Sequence, residues 1–210
     1  MESAVLKQGK APGSVRSWSP DGRRLVFLRN VTEDHPEIGV YGNREIFAVN
    51  RDGTDLVRLT RTEVSEQDPV WSPDGTEIAF STFTLRDDGS SVSTIYVMKP
   101  DGSEPPSEVL SVEGGAFGLS WSPDGQWFAY STTCGGDCIW KVRADGTQPT
   151  FLTGGECSRT CHAFGPEWSP DGEQIAFDGV SGLHTMDADG ENMRSIGVWG
   201  SQPSWRPVVR

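Results

Sequence analysis

A tryptophan with a proline two positions later occurs five times in this chain, and four of these sites share one pentapeptide. Trp-Ser-Pro-Asp-Gly begins at Trp18, Trp71, Trp121 and Trp168, and Trp205 begins a shortened fifth copy, Trp-Arg-Pro. Repetition of one motif at near-regular spacing indicates an array of a single supersecondary unit. The fold must therefore be derived repeat by repeat.

A second element lies between successive pentapeptides, namely an apolar run that ends in Asp-Gly, at Gly53, Gly102, Gly146 and Gly190. Ser-Pro-Asp-Gly suits a type I turn, because proline fixes φ and glycine accepts a left-handed exit. Short runs rich in aromatic and branched residues follow each pentapeptide and are typical of strands. Each repeat therefore predicts four strands, and four-stranded units of about 40 to 50 residues arranged radially form a β-propeller.

The predicted fold class is all-β, a β-propeller of four-stranded antiparallel blades, with four full blades and a split or incomplete fifth. We expect one domain over 1–210, with blades at approximately 14–60, 68–112, 117–153 and 165–197 and terminal strands at 4–6 and 203–205. An open array would leave apolar blade faces uncovered at its ends. A homo-oligomer is the expected outcome if the ring is open.

The order Trp-Ser-Pro-Asp-Gly, Ile-Ala-Phe, Ile-Tyr-Val-Met-x-x-Asp-Gly and Leu-Thr resembles the repeat of TolB-like β-propellers, and the resemblance covers nearly the whole chain. It implies a propeller, usually of six blades, and a periplasmic or secreted location. Resembling propellers serve as protein-binding modules or as substrate-gating domains of peptidases, and some belong to carbohydrate-active proteins. The fold alone does not choose among these functions.

The charge balance restricts the partners. The chain has 18 Lys and Arg against 30 Asp and Glu, a formal net charge of -12. This argues against binding nucleic acid or anionic membranes, both of which attract basic proteins. No apolar run approaches the roughly 20 residues needed to cross a bilayer, and the first residues lack the order of a signal peptide, so we expect neither membrane insertion nor a signal peptide here.

Repeat lengths vary in one place. The interval from the pentapeptide glycine to the Asp-Gly glycine shrinks from 31 residues (Gly22 to Gly53) to 18 (Gly172 to Gly190), with the extra residues between the second and third strands. These connections and the links between blades share one face, and variable loops are the usual location of binding residues. The candidate binding residues on this face are Glu33, Asp34, His35, Glu37, Arg86, Asp87, Asp88, Asp137, Glu156 and Arg159. Their acidity favours a basic or polar protein or peptide partner, with ordinary solvated loops or a cation site as alternatives.

Four cysteines form two Cys-x-x-x-Cys pairs, Cys134 with Cys138 and Cys157 with Cys161, both on the same predicted face. This spacing is compatible with two disulfides, with free thiols, or with a zinc site that draws on both loops, with or without His162. Disulfides would indicate an oxidising compartment.

Repetition also bears on the tryptophans. Residues repeated once per blade pack the scaffold, so we assign Trp18, Trp71, Trp121, Trp168 and Trp205 structural roles. No Gly-x-Ser-x-Gly, His-Glu-x-x-His or glycine-rich phosphate loop occurs, and no catalytic residue, metal or cofactor is predicted.

Two functions remain. The first is a non-enzymatic binding module or scaffold whose variable face docks a protein or peptide. The alternative is a carbohydrate-active or peptidase-associated propeller domain that gates or binds substrate.

Overall fold

The computed structural model describes residues 16–35, 39–133, 137–153, 162–198, 203 and 205, and within them all regular structure is β. The sixteen strands are β1 Arg16–Trp18, β2 Arg24–His35, β3 Gly39–Asn50, β4 Val57–Arg58, β5 Glu66–Trp71, β6 Ile78–Leu85, β7 Ser91–Met98, β8 Ser107–Glu113, β9 Ala116–Trp121, β10 Trp127–Thr132, β11 Cys138–Arg143, β12 Thr150–Phe151, β13 Phe164–Trp168, β14 Gln174–Gly179, β15 Gly182–Asp187 and β16 Arg194–Ser195.

Consecutive strands form four antiparallel sheets of four strands, which we call blades 1 to 4. This confirms the predicted fold class of four-stranded antiparallel blades. The first strands β1, β5, β9 and β13 pack side by side and form the inner edge of the array. Among the described residues, no strand of blade 4 makes more than marginal contact with blade 1, so the described blades form an open arc.

The pentapeptide turns are alike in all four blades. In each copy the serine Oγ donates to the aspartate Oδ1 at 2.5–2.7 Å and accepts the backbone N–H five residues further on at 2.9 Å. The glycine that closes each turn has a φ of 66° to 76°, which favours glycine over other residues. The repeated aspartates are therefore turn formers, as the sequence predicts.

Each interface between neighbouring blades buries one apolar cluster. The first cluster joins blade 1 to blade 2 and contains Val26, Leu28, Ile46, Trp71, Ile78, Phe80 and Met98. The other two interfaces contain similar clusters. Trp71, Trp121 and Trp168 are only 6–8% exposed. Such tryptophans supply much of the buried area at each interface.

Trp18 differs from the other repeated tryptophans in burial, and most of the terminal segments lie outside the described residues. Trp18 is 49% exposed, because no described blade lies in front of its face. Trp205 donates its indole N–H to the Glu167 carbonyl at 3.0 Å. Pro203 and Trp205 belong to no strand, and the terminal strand expected at 4–6 lies outside the described residues.

The inner strands carry a bulge three residues before each buried tryptophan, at Asp68, Gly118 and Gly165, where φ is 49°, 64° and 57°. A Cβ on Gly118 would lie 2.8 Å from the Cα of Gly165, so these two strands approach too closely for a side chain. The Asp68 Oδ2 accepts the Gly118 N–H at 2.6 Å. The bulges thus pack neighbouring blades together at the inner edge.

The variation in repeat length is largely a variation in strand length. Twelve residue pairs join β2 to β3, from Arg24 opposite Asn50 to His35 opposite Gly39. The corresponding strands have 8 residues in blade 2 and 6 residues in blades 3 and 4. Most of the extra residues in blade 1 therefore extend a paired hairpin instead of forming an irregular loop.

Candidate functional site

The hairpin tips and the links between blades lie on one face, which we call the variable face, and the pentapeptide and Asp-Gly turns lie on the opposite turn face. Glu33, Asp34 and His35 end strand β2 near the tip of the longest hairpin. Asp87 and Asp88 are exposed at the tip of the blade 2 hairpin. Glu37, Glu156 and Arg159 lie outside the described residues.

The candidate residues of blade 2 do not all act as free charges. Arg86 donates two hydrogen bonds to the Glu113 carboxylate, at 3.0 and 2.9 Å, from the hairpin to the neighbouring strand β8. Asp88 accepts the Ser90 N–H at 2.8 Å and shapes the turn. Glu113 neutralises Arg86, so Asp87 and Asp88 set the local charge.

Asp137 and His162 are brought together from two segments. The His162 Nδ1 lies 2.9 Å from Asp137 Oδ2, and the two backbones form an isolated parallel bridge. The His162 ring also stacks on Phe164, with ring centroids 6.3 Å apart. The structure therefore ties the third hairpin to the link that enters blade 4.

A buried polar cluster between blades 1 and 2 escaped the sequence reasoning. It consists of Asn43, Glu45, Arg58, Thr62 and Glu66, and we call it the carboxylate cluster. Glu45 Oε1 accepts from the Thr62 N–H and from Asn43 Nδ2, each at 3.0 Å, and lies 3.1 Å from Arg58 Nη2. The Thr62 hydroxyl lies 2.6 Å from Glu66 Oε1 and 2.8 Å from the Val64 carbonyl oxygen, and its one proton serves one of these two contacts. Thr62 therefore links the two carboxyl groups across the blade interface.

The two carboxyl groups ionise differently. Burial opposes the ionisation of Glu45, but hydrogen bonds from Thr60, Thr62 and Arg58 outweigh it and lower the pKa of Glu45. Burial, with a contribution from the Glu45 charge, raises the pKa of Glu66 to about 7.

A sequence signal for this cluster did exist. Leu59-Thr60 recurs as Leu152-Thr153, and in both copies the threonine Oγ1 accepts the backbone N–H of an isoleucine in the third strand of the blade. The residue before that position is Glu45 in blade 1 but Thr94, Cys138 and Gly182 in the other blades. Only blade 1 places a carboxylate there, and such a departure from the repeat could have marked it.

A third carboxyl group of note lies on an inner strand. Burial raises the pKa of Glu167 to about 7, against the effect of a hydrogen bond with Ser120. In the repeat, Glu167 directly precedes the pentapeptide tryptophan, as Ser17 and Ser120 do in blades 1 and 3. The Ser17 hydroxyl accepts the Trp71 N–H at 3.2 Å, and the Ser120 hydroxyl accepts the Trp168 N–H at 3.3 Å.

Clefts also lie on the turn face. Volumes of about 460, 260 and 470 Å³ separate successive blades there, and the first is lined by Arg24, Trp71 and Pro100 among others. The variable face, in contrast, presents projecting hairpins.

The family model for the TolB beta propeller domain matches residues 4–209. The chain belongs to this family. A TolB homologue of Chlorobaculum tepidum is 30% identical over 64% of this chain and 27% of its own length. A Bacillus subtilis protein named as the uncharacterized peptidase YuxL is 26% identical over 65% of this chain and 20% of its own length.

Solved structures support the same fold. TolB from Acinetobacter baumannii superposes with a TM-score of 0.66 at 20% identity, covering 90% of this chain and 45% of that one. This chain covers only 27% of the Chlorobaculum relative's length and 20% of the Bacillus relative's length. Membership of the TolB family establishes the propeller fold, and the activities of these longer proteins do not pass automatically to this chain.

The remaining predictions for this TolB-family chain concern cysteines, metals and membranes. Cys138 is buried at the start of β11, while Cys134, Cys157 and Cys161 lie outside the described residues, so the pairing of the four stays a prediction. Within the described part of the chain, no group of three or more His, Cys, Asp or Glu side chains is arranged to hold a metal. The same residues include no helix long and apolar enough to cross a membrane.

Proposed function

We propose that this TolB-family propeller is a non-enzymatic binding module whose variable face docks a protein or peptide partner. The observation that supports it is the restriction of blade-to-blade variation to one face. Hairpin strands of 12, 8, 6 and 6 residues project there, whereas the opposite face repeats one turn four times. Variation on a repeated scaffold is where specific recognition is built.

The charge of the variable face gives the class of partner. Asp87 and Asp88 are exposed at one tip with Arg86 held by Glu113, and Glu33 and Asp34 end the longest strand. Carboxylates at adjacent hairpin tips favour a basic segment and accelerate its association. We place this interaction in the periplasm or outside the cell, where the proposed disulfides Cys134 to Cys138 and Cys157 to Cys161 would also be stable.

The test compares two charge-reversed variants in an affinity capture from cell-envelope extract. The first carries Glu33→Lys, Asp34→Lys and Asp87→Lys on the variable face. The matched control carries Glu104→Lys, Glu173→Lys and Glu191→Lys, which are exposed residues that follow turn-face glycines and give the same change in charge.

We expect the wild type and the control to retain the same partners and the first variant to lose them. Loss in both variants would assign binding to net charge alone. Retention in both would remove the variable face from the proposal.

A second candidate function rests on the similarity to the Bacillus protein named as a peptidase. Here the propeller would bind or gate a peptide substrate for a hydrolase. Incubation of the chain alone with mixed peptides, followed by mass spectrometry, separates the cases. Cleavage products would overturn the non-enzymatic proposal, whereas binding without cleavage on the turn face would favour gating.

A further inference from the structure

The segment that links blade 1 to blade 2, residues 60–66, is fastened along the base of the longest hairpin by hydrogen bonds. The Arg44 N–H donates to Ser65 Oγ at 3.2 Å, and the Ile46 N–H donates to Thr60 Oγ1 at 2.9 Å. Strand β3 is one arm of that hairpin, so these contacts hold the hairpin to the segment that leads into blade 2.

Glu66 lies at the end of this segment, where strand β5 begins, and is fully buried. The Thr62 hydroxyl lies 2.6 Å from Glu66 Oε1 and 2.8 Å from the Val64 carbonyl oxygen. A hydroxyl has one proton, and a carbonyl oxygen can only accept. A protonated Glu66 donates to the Thr62 oxygen and leaves the Thr62 proton for Val64, so both contacts are made. An ionised Glu66 competes with Val64 for that one proton, so one contact is lost.

The charges around Glu66 also favour its neutral form. Glu45 accepts from the Thr62 N–H at 3.0 Å and lies 3.1 Å from the Arg58 guanidinium, which keeps it ionised. Within the described part of the chain, no Lys, Arg or His is in ion-pair contact with Glu66. An ionised Glu66 would therefore be a buried charge beside another of the same sign, which is strongly unfavourable.

The strands that carry Glu45 and Glu66 hold two further charged groups, Arg44 on β3 and Asp68 on β5. The positive charge of Arg44 acts on Asp68, and burial raises the pKa of Asp68. Asp68 Oδ2 accepts the Gly118 N–H at 2.6 Å, toward blade 3. Asp68 is thus a second buried acid on the same strand, and its titration has to be separated from that of Glu66 by mutation.

We propose that Glu66 and Thr62 form a pH-sensitive latch, which fastens the base of the blade 1 hairpin to blade 2 while Glu66 carries a proton and loosens when that proton is lost. Because the pKa of Glu66 is raised to about 7, the latch is closed at acid pH and opens as the pH rises through neutrality. The latch rests on the contacts of residues 60–66 and does not depend on the partner proposed for the variable face.

The test is hydrogen exchange of the backbone amides at pH 5 and pH 8, corrected for the intrinsic exchange rate at each pH. In the wild type, the protection of residues 43–46 should fall by about 10- to 100-fold between the two pH values. Strand β11 in blade 3 should change by less than about threefold, because it lies outside the unit that opens. Glu66→Gln stays neutral at both pH values and can donate to Thr62, so residues 43–46 should keep their protection at pH 8.

Asp68→Asn is the matched control, since it removes the other buried acid of strand β5 but keeps an acceptor for the Gly118 N–H. This variant should show the wild-type loss of protection. Equal protection of residues 43–46 at both pH values in the wild type would overturn the proposal, as would an undiminished loss in Glu66→Gln. A loss of the same size in β11 would show that pH acts on the whole fold, and would also overturn the latch.

Discussion

The two faces of this propeller differ in how closely the four blades resemble one another there. On the turn face, four serine–aspartate pairs keep one geometry, with hydrogen bonds of 2.5–2.7 Å in every blade. On the variable face, the hairpin strands shorten from 12 residues in blade 1 to 8 in blade 2 and 6 in blades 3 and 4, and blades 1 and 2 each bury one carboxyl group, Glu45 and Glu66, at their interface. Repetition maintains the scaffold, and the divergent hairpins form the face that we propose for binding.

The largest expected effect tests whether the repeated tryptophans really act as scaffold. Trp121→Ala should lower the free energy of unfolding by about 3–5 kcal/mol, because it empties a filled blade interface. Trp18→Ala should cost about 1 kcal/mol, since Trp18 is 49% exposed. Denaturant unfolding of both variants measures the difference. Equal losses would mean that the face of blade 1 is covered in solution.

The pH dependence of stability should have opposite signs on the two faces. Ser72 holds the pKa of Asp74 below its usual value, so the turn contribution is present above about pH 4 and is lost as the pH falls. Glu66 is the reverse case, because its raised pKa makes the folded state bind the extra proton. Stability should therefore fall as the pH rises from about 4.5 to 7, by on the order of 1–3 kcal/mol.

Unfolding at several pH values at constant ionic strength measures both effects. Glu66→Gln should remove its share of the loss between pH 4.5 and 7, and Glu167→Gln should remove the remainder, because burial raises the pKa of both groups to about 7. Neither variant should change the loss of stability at acid pH. A wild-type protein whose stability rises across that interval would contradict the assignment of the raised pKa.

A smaller effect is expected from a single turn. Ser122→Ala removes a donor to Asp124 and an acceptor for the Trp127 N–H, and should cost about 1–2 kcal/mol. Ser181→Ala, in the exposed tip of the blade 4 hairpin, is the control and should stay within about 0.5 kcal/mol. Thermal unfolding compares the two. Similar losses of stability in the two variants would show that the turn contributes no more to stability than the exposed hairpin tip.

The smallest effect concerns the ion pair on the variable face. A double-mutant cycle with Arg86→Ala and Glu113→Ala should give a coupling below about 1 kcal/mol, because both side chains are exposed. The coupling should shrink further in 1 M salt. A value of several kcal/mol would show that this hairpin is part of the scaffold and not a free recognition element.

The sequence predicted those features that depend on local chemistry. Proline, aspartate and glycine in each pentapeptide specify the turn, and the short apolar runs specify its flanking strands, so the four-stranded blades follow directly. The extended hairpin of blade 1 was harder to predict. Residues 29–44 mix polar, charged and glycine residues without clean alternation and read as a loop, whereas backbone pairing makes 29–35 and 39–44 parts of two strands.

Features that depend on the neighbouring blade could not be read from one repeat. Glu45 and Glu66 meet only because blade 1 packs on blade 2, and their linker Thr62 lies between them in sequence without a motif to mark it. Trp18 belongs to the same motif as Trp121, yet it is far more exposed because no described blade packs against it. Packing partners distant in sequence decide both cases.

The unequal hairpins give the variable face a stepped profile. Strands β2, β10 and β14 start six residues after their pentapeptide tryptophan and β6 starts seven residues after it, but β2 runs for 12 residues, β6 for 8, and β10 and β14 for 6. At about 3.3 Å per residue, strand β2 extends roughly 20 Å further than β10 and β14. A flat partner would rest on the tallest hairpin and miss the lowest two. A ligand that engages all four blades must therefore be wedge-shaped, thick over blade 4 and thin over blade 1.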